Sequence, residues 1–177
     1  SHIISSMKND KYISNLIGAF ATSIAGDIEQ KISDLGGRSL SHESALVVIF
    51  NHPNETINVL SKVLGLTHSG SVRLINTLEE EGLVERHRSV EDARSVVLCV
   101  TPDGRKRVKQ ILNSREAVTA KVLENFNDDQ KQSLLGLLEV AMNGLTHEQL
   151  KARQICKLCD EGVCRILGCP VENSIKC

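Results

Sequence analysis

The sequence predicts a mainly α-helical chain that carries one small β-ribbon. Three observations point there. Apolar residues recur at helical spacing through most of the chain, the period falls to two only between Val84 and Val100, and glycine or proline marks most changes of element. The 177 residues, 41% hydrophobic and 24% charged, suffice for one core with an appendage. The longest apolar run, Ala45 to Phe50, is far short of the roughly 20 residues needed to cross a bilayer. No charged-then-apolar leader opens the chain, so a cytoplasmic protein with no membrane partner is expected. Aromatic residues are scarce (Tyr12, Phe20, Phe50 and Phe126), which argues against a platform that stacks single-stranded bases or sugars.

Ser1 to Ser6, ahead of Met7, read as an expression-tag remnant (residues 1–6) and are set aside. From Met7, Tyr12, Leu16, Phe20, Ile24, Ile28 and Ile32 recur every fourth position as one long helical stripe, ended by Gly36-Gly37. So long a stripe requires a partner surface. Ser41 can cap a second helix through Ala45 to Phe50, which His52-Pro53 stops. Asn54 can cap a third, with Ile57, Leu60 and Leu64 inward, closing at Gly65. Thr67 caps a fourth, with Val72, Ile75 and Leu78 inward, closing at Gly82. Val84–Arg88 and Ser95–Val100 then alternate as two antiparallel strands around a charged tip. Thr101-Pro102 opens a fifth helix through Val108, Ile111, Leu112, Val118, Val122 and Phe126. Asn127 with Gln130 forms a capping box for a sixth, which carries Leu134, Leu137, Leu138, Ala141 and Leu145. After Leu150 the chain turns cysteine-rich and reads as irregular.

A helix, a glycine turn, a second helix and a two-stranded ribbon make a winged helix-turn-helix, whose second helix enters the DNA major groove. The net charge of −1 leaves that open, because the distribution of charge decides it. Thr67, His68, Ser69, Ser71 and Arg73 are expected to be exposed near the start of the fourth helix, where short polar groups and one long cation can approach phosphates and base edges. Arg86, Arg88 and Arg94, with His87, add a basic stripe along the ribbon. A carboxylate two residues before an arginine can hold its guanidinium, which pairs Asp92 with Arg94.

These residues resemble the MarR (multiple-antibiotic-resistance regulator) family of bacterial transcription factors over nearly all of Lys8 to Leu150. The carriers are the stretch Ser71-Val72-Arg73-Leu74-Ile75-Asn76-Thr77-Leu78-Glu79-Glu80-Glu81-Gly82-Leu83-Val84-Glu85-Arg86, the wing signature Asp92-Ala93-Arg94-Ser95, and the join Val100-Thr101-Pro102-Asp103-Gly104. The resemblance implies a winged helix-turn-helix DNA-binding domain at 37–101 and a helical dimerisation region at 7–36 and 102–150. It also implies a homodimer reading an inverted repeat of double-stranded DNA, with Arg94 in the minor groove and Asp92 orienting it. Family members commonly bind small anionic or phenolic effectors.

The tail, 151–177, departs from that pattern. Cys156, Cys159, Cys164 and Cys169 lie in 14 residues, and Pro170 follows the last. Four thiolates satisfy a closed zinc site, and the 2-4-4 spacing resembles a zinc knuckle with cysteine in place of histidine. Four thiolates also hold an iron–sulfur cluster, and the closing Cys-Pro resembles ferredoxins. Metal-free redox thiols are the third alternative; spacing does not choose among them. Cys99 and Cys177 are surplus to four ligands, and His42, His52 and His147 show no metal-ligand spacing. The expectation is a dimeric bacterial transcriptional repressor, not an enzyme, with a four-cysteine metal or iron–sulfur site of structural or sensing role. The alternative is a thiol or iron–sulfur redox protein that uses the winged domain only to dimerise.

Overall fold

A computed structural model describes residues 2–175, so Cys177 and Ser1 lie outside the described residues. Helix α1 spans His2–Ser33, and residues 2–6, read above as a tag remnant, continue its backbone. Its apolar stripe is buried by degrees. Ile32 is fully buried and Ile28 packs at the edge of the core, while Tyr12, Ile13, Leu16, Ile17 and Phe20 stand exposed. Helix α2 (Leu40–Asn51) is apolar on every side from Ala45 to Ile49 and forms the centre of the main core. Its N-cap position is Ser39, two residues before the expected cap Ser41, with no side-chain cap hydrogen bond.

The segment after α2 differs from the sequence expectation. Asn54 does not cap a helix: it takes a left-handed backbone with φ 67°, which asparagine tolerates better than most residues. Its N–H donates to the Leu98 carbonyl at 3.0 Å. That turn places Glu55–Thr56 as a short strand, β1. Helix α3 (Ile57–Leu64) begins only after Thr56, whose hydroxyl accepts from the Val59 N–H, and ends at Gly65 with φ 66°. Helix α4 (His68–Glu80) is capped by Thr67, as its side chain predicts.

Strands β2 (Val84–Arg88) and β3 (Val96–Val100) pair antiparallel, with Val84 opposite Val100 and Arg88 opposite Val96. Strand β1 pairs the other edge of β3, giving the order β1-β3-β2. Helix α5 (Pro102–Leu123) follows Thr101, whose hydroxyl accepts the Gly104 N–H and donates to the Gly82 carbonyl at 2.6 Å. Gly104 is required there. A Cβ at this position would stand 2.1 Å from the Leu83 carbonyl oxygen. Helix α6 (Asp128–Asn143) opens with the expected Asn127–Gln130 capping box, and its Leu137, Leu138 and Val140 are exposed.

Glu43 is fully buried on α2 and is paired with Arg107 of α5, whose Nη1 also donates to the Leu35 carbonyl at 2.8 Å. The pair fixes the helix-turn-helix onto α5. A buried charge is tolerable only when it is partnered in this way. The tail is not irregular. It forms α7 (Gln149–Ile155), α8 (Glu161–Leu167) and α9 (Pro170–Asn173), around a small second core of Ala152, Cys169 and Val171.

Candidate nucleic-acid interface and cysteine cavity

The face that α4 turns outward carries Thr67, His68, Ser69, Arg73 and Asn76, all exposed. Ser71 corrects the expectation, because it is fully buried and its Oγ has no hydrogen-bond partner among the described residues. The inward arc is Ser71, Leu74, Ile75 and Leu78, an i, i+3, i+4, i+7 set. Val72, expected inward, is only half-buried. Polarity had suggested the opposite choice between the two neighbours.

Arg86 does not project freely. It pairs with Glu79, and its Nη2 donates to Asn76 Oδ1 at 2.7 Å, bracing the base of the wing against α4. Asn76 is therefore a surface residue of this face that the sequence reading missed; its i+3 spacing from Arg73 was the available signal. At the wing tip Arg88 Nη1 donates to the Ala93 carbonyl at 3.3 Å. The Asp92 carboxylate accepts from the Arg94 backbone N–H at 3.0 Å and from the Ser95 hydroxyl at 2.8 Å. These bonds favour its charged form and hold its pKa below the ordinary value of 3.8. This corrects the expectation that Asp92 holds the Arg94 guanidinium: its carboxylate shapes the turn through the Arg94 backbone N–H and the Ser95 hydroxyl. The Arg94 side chain is exposed, with no hydrogen bond or ion pair to a described residue.

A helix with a polar, cationic outer face, braced to a ribbon whose tip presents an unpaired arginine, is the geometry of duplex recognition. A model of the MarR family matches residues 37–95. These residues fold as a winged helix-turn-helix and are similar to the MarR family over that stretch. The chain is 24% identical over 134 residues to the HTH-type transcriptional regulator YwhA of Bacillus subtilis, covering 75% of this chain and 96% of the relative. It is 26% identical over 121 residues to the transcriptional repressor YetL of Bacillus subtilis, covering 63% and 72% respectively. Its fold is similar to that of Streptococcus pneumoniae FabT, solved in complex with DNA. That likeness has a TM-score of 0.59 and 25% identity, over 72% of this chain and 94% of that one. In the frame of that similarity α4 stands at the position of a recognition helix and β2–β3 at that of a wing.

The four tail cysteines converge from separate elements. Cys156 caps the end of α7, Cys159 lies in the following turn, Cys164 is on α8, and Cys169 is the residue before α9. All four are free thiols lining one cavity of about 220 Å³, with His52, Arg153, Glu161 and Arg165 among its other walls. Cys99 is elsewhere, on β3, where its Sγ–H donates to Asn54 Oδ1 at 3.2 Å. A hydrogen bond to Cys159, then burial, pushes the Cys156 thiol up. The same bond, helped by the Arg115 cation and opposed by burial, holds Cys159 down to about 7. Burial raises Cys164.

The tail docks on the winged domain. Arg153 donates to both Glu55 oxygens at 2.8 and 2.6 Å, and Gln154 Nε2 donates to the Lys62 carbonyl at 3.1 Å. Asn51 Nδ2 donates to the Cys159 carbonyl at 3.0 Å. His52 Nε2 lies 2.9 Å from Glu161 Oε1. Burial works against the Glu161 charge, yet His52 and the Arg165 and Arg153 cations bring its carboxyl below the usual range. His52, to which sequence spacing assigned no site, therefore borders the cysteine cavity; its partner is 109 positions away.

Proposed function

We propose that this chain is a dimeric bacterial repressor that binds an inverted repeat in double-stranded DNA. The observation that carries the reading is the continuous outer surface of Thr67, His68, Ser69, Arg73 and Asn76 on α4 with unpaired Arg94 at the wing tip. In this reading the start of α4 lies in the major groove and makes the base contacts. Arg94 and Arg88 follow the backbone into the adjacent minor groove. Arg86 acts by holding α4 and the wing at a fixed angle.

Dimerisation is supported by two apolar surfaces left uncovered in one copy: Tyr12, Ile13, Ile17 and Phe20 on α1, and Leu137, Leu138 and Val140 on α6. Solvent contact on so many large apolar side chains is costly, and a second copy would remove it. Two copies related by a two-fold axis read two half-sites about one DNA turn apart. Among the described residues no helix is long and apolar enough to cross a membrane, which accords with a cytoplasmic regulator. The repressor mode is supported by the likeness to YetL. Cys156, Cys159, Cys164 and Cys169 give this regulator a soft-ligand site, since four thiolates at one cavity suit a thiophilic metal.

The test is selection of a binding site from a randomised duplex pool, followed by anisotropy titration at several salt concentrations. The expected outcome is a palindromic consensus, bound by two chains with a steep salt dependence. Binding that ignores sequence would sink the reading.

A further inference from the structure

Helix α7 ends at Cys156, whose N–H donates to the Ala152 carbonyl at 3.0 Å. The chain then turns back on itself, and the Cys159 N–H donates to the Cys156 carbonyl at 2.8 Å. A turn closed by such a bond holds its first and fourth Cα atoms within about 7 Å, and a disulfide spans Cα separations of roughly 4.4–6.8 Å. The side chains complete what the backbone begins. The Cys156 Sγ–H donates to the Cys159 sulfur, so the two sulfur atoms are in contact.

The turn is also held in shape from outside. Leu158, between the two cysteines, packs against the main core, and the Cys159 carbonyl accepts from Asn51 Nδ2 at 3.0 Å. Joining the sulfurs therefore costs little further conformational entropy. Both thiols are half-buried on the wall of the cavity of about 220 Å³, within reach of a small reagent. The other two tail cysteines are placed differently. Cys169 is buried in the small core with Ala152 and Val171, and Cys164 stands on α8, a separate element.

We propose that Cys156 and Cys159 form a reversible dithiol–disulfide couple, oxidised within one chain by small organic disulfides. The couple goes beyond the DNA-binding reading and needs no metal. Cys159, whose sulfur accepts the Cys156 S–H, gives up its own proton to solvent and attacks one sulfur of a small disulfide RSSR. That S–S bond breaks, RS⁻ leaves and takes up a proton, and Cys159 carries a mixed disulfide. Cys156 then loses its proton and attacks the Cys159 sulfur, which breaks the mixed disulfide and releases the second RS⁻ to be protonated in turn. Two protein thiols have given up two electrons, and RSSR has been reduced to two RSH. An excess of RSH runs the same steps backwards. The product withdraws two thiolates from the soft-ligand site proposed above, so oxidation and metal occupancy exclude each other.

The test uses the full chain, stripped of metal by a chelator, reduced, and freed of reductant. It is equilibrated with mixtures of glutathione and glutathione disulfide, quenched in acid, alkylated and cut with an arginine-specific protease. The fragment 154–165 carries Cys156, Cys159 and Cys164. After oxidation it should be two hydrogens lighter and alkylated at Cys164 alone, and dithiothreitol should restore alkylation at all three. This should occur in mixtures that leave Cys99 unmodified, because the closing step is intramolecular. Cys156→Ser should stop with one glutathione on Cys159, whereas Cys164→Ser should close as the parent chain does.

Alkylation of both Cys156 and Cys159 in mixtures that modify Cys99 would overturn the couple. So would a bond from either one to Cys164, to Cys169 or to a second chain. These results are read on the parent chain and do not depend on how the variants fold. They also leave the DNA-binding reading untouched, since its test is the selected operator.

Discussion

Arg153 on α7 grips Glu55 on β1 through both carboxylate oxygens, at 2.8 and 2.6 Å, across 98 positions of sequence. This bidentate pair is partly shielded, with side-chain exposures of 18% and 30%. It is a bidentate polar tie between the cysteine tail and the winged domain. Charge-assisted pairs of this geometry outrank ordinary surface bridges.

Arg153→Ala should therefore loosen the tail. We expect a loss on the order of 1–2 kcal/mol, with limited proteolysis releasing the segment after Leu150 earlier than in the parent chain. Glu55→Ala should do the same. The double variant should cost less than the two losses added, and full additivity in a double-mutant cycle would show the pair to be uncoupled.

Arg94→Ala removes an exposed side chain that makes no hydrogen bond or ion pair within the described residues, so melting should stay within about 0.5 kcal/mol of the parent. Affinity for the selected operator should fall about tenfold or more, with a shallower salt slope. Wild-type affinity at fixed salt would remove the wing from the interface.

Ser71→Ala should leave the selected DNA consensus unchanged, because the hydroxyl is buried on the inner arc of α4. Its Oγ has no partner among the described residues. Removing an unsatisfied buried hydroxyl should be neutral or stabilising by up to about 1 kcal/mol. Arg73→Ala, by contrast, should change the consensus or the affinity. An altered consensus from Ser71→Ala alone would reverse the assignment of faces.

Asp92 should titrate below its ordinary value of 3.8, since the Arg94 N–H and the Ser95 hydroxyl both favour the carboxylate. The folded pKa is depressed relative to the unfolded chain. The turn therefore has its full support above the ordinary value and loses it only as pH falls through the lowered one. An NMR titration should show the Asp92 carboxyl and the Arg94 amide shifting together, with a midpoint under 3.8. A midpoint at or above that value would mean the turn is held by other contacts.

Local chemistry was enough for much of this chain. The caps at Thr67, Thr101 and Asn127, the glycine ends at Gly65 and Gly82, and the ribbon of Val84–Arg88 with Val96–Val100 all follow from side chains within a few residues of one another. So does the gathering of four thiols, because the spacing of Cys156 to Cys169 is itself local. What the sequence left undetermined depends on contacts between distant segments. Strand β1 has two residues and no period of its own; it exists because β3 offers a free edge opposite Glu55 and Thr56. Ser71 is buried because hydrophobic spacing on the rest of α4 fixes the rotation of the helix, and a small polar side chain must follow it inward. The tail reads as irregular because α7, α8 and α9 are each too short to propagate alone. They form against the winged domain through Arg153, Gln154 and Glu161, whose partners lie 98, 92 and 109 positions away. A side-chain pattern records the neighbours a residue meets along its own helix or strand, while a docking surface is assembled only once the chain has folded back on itself.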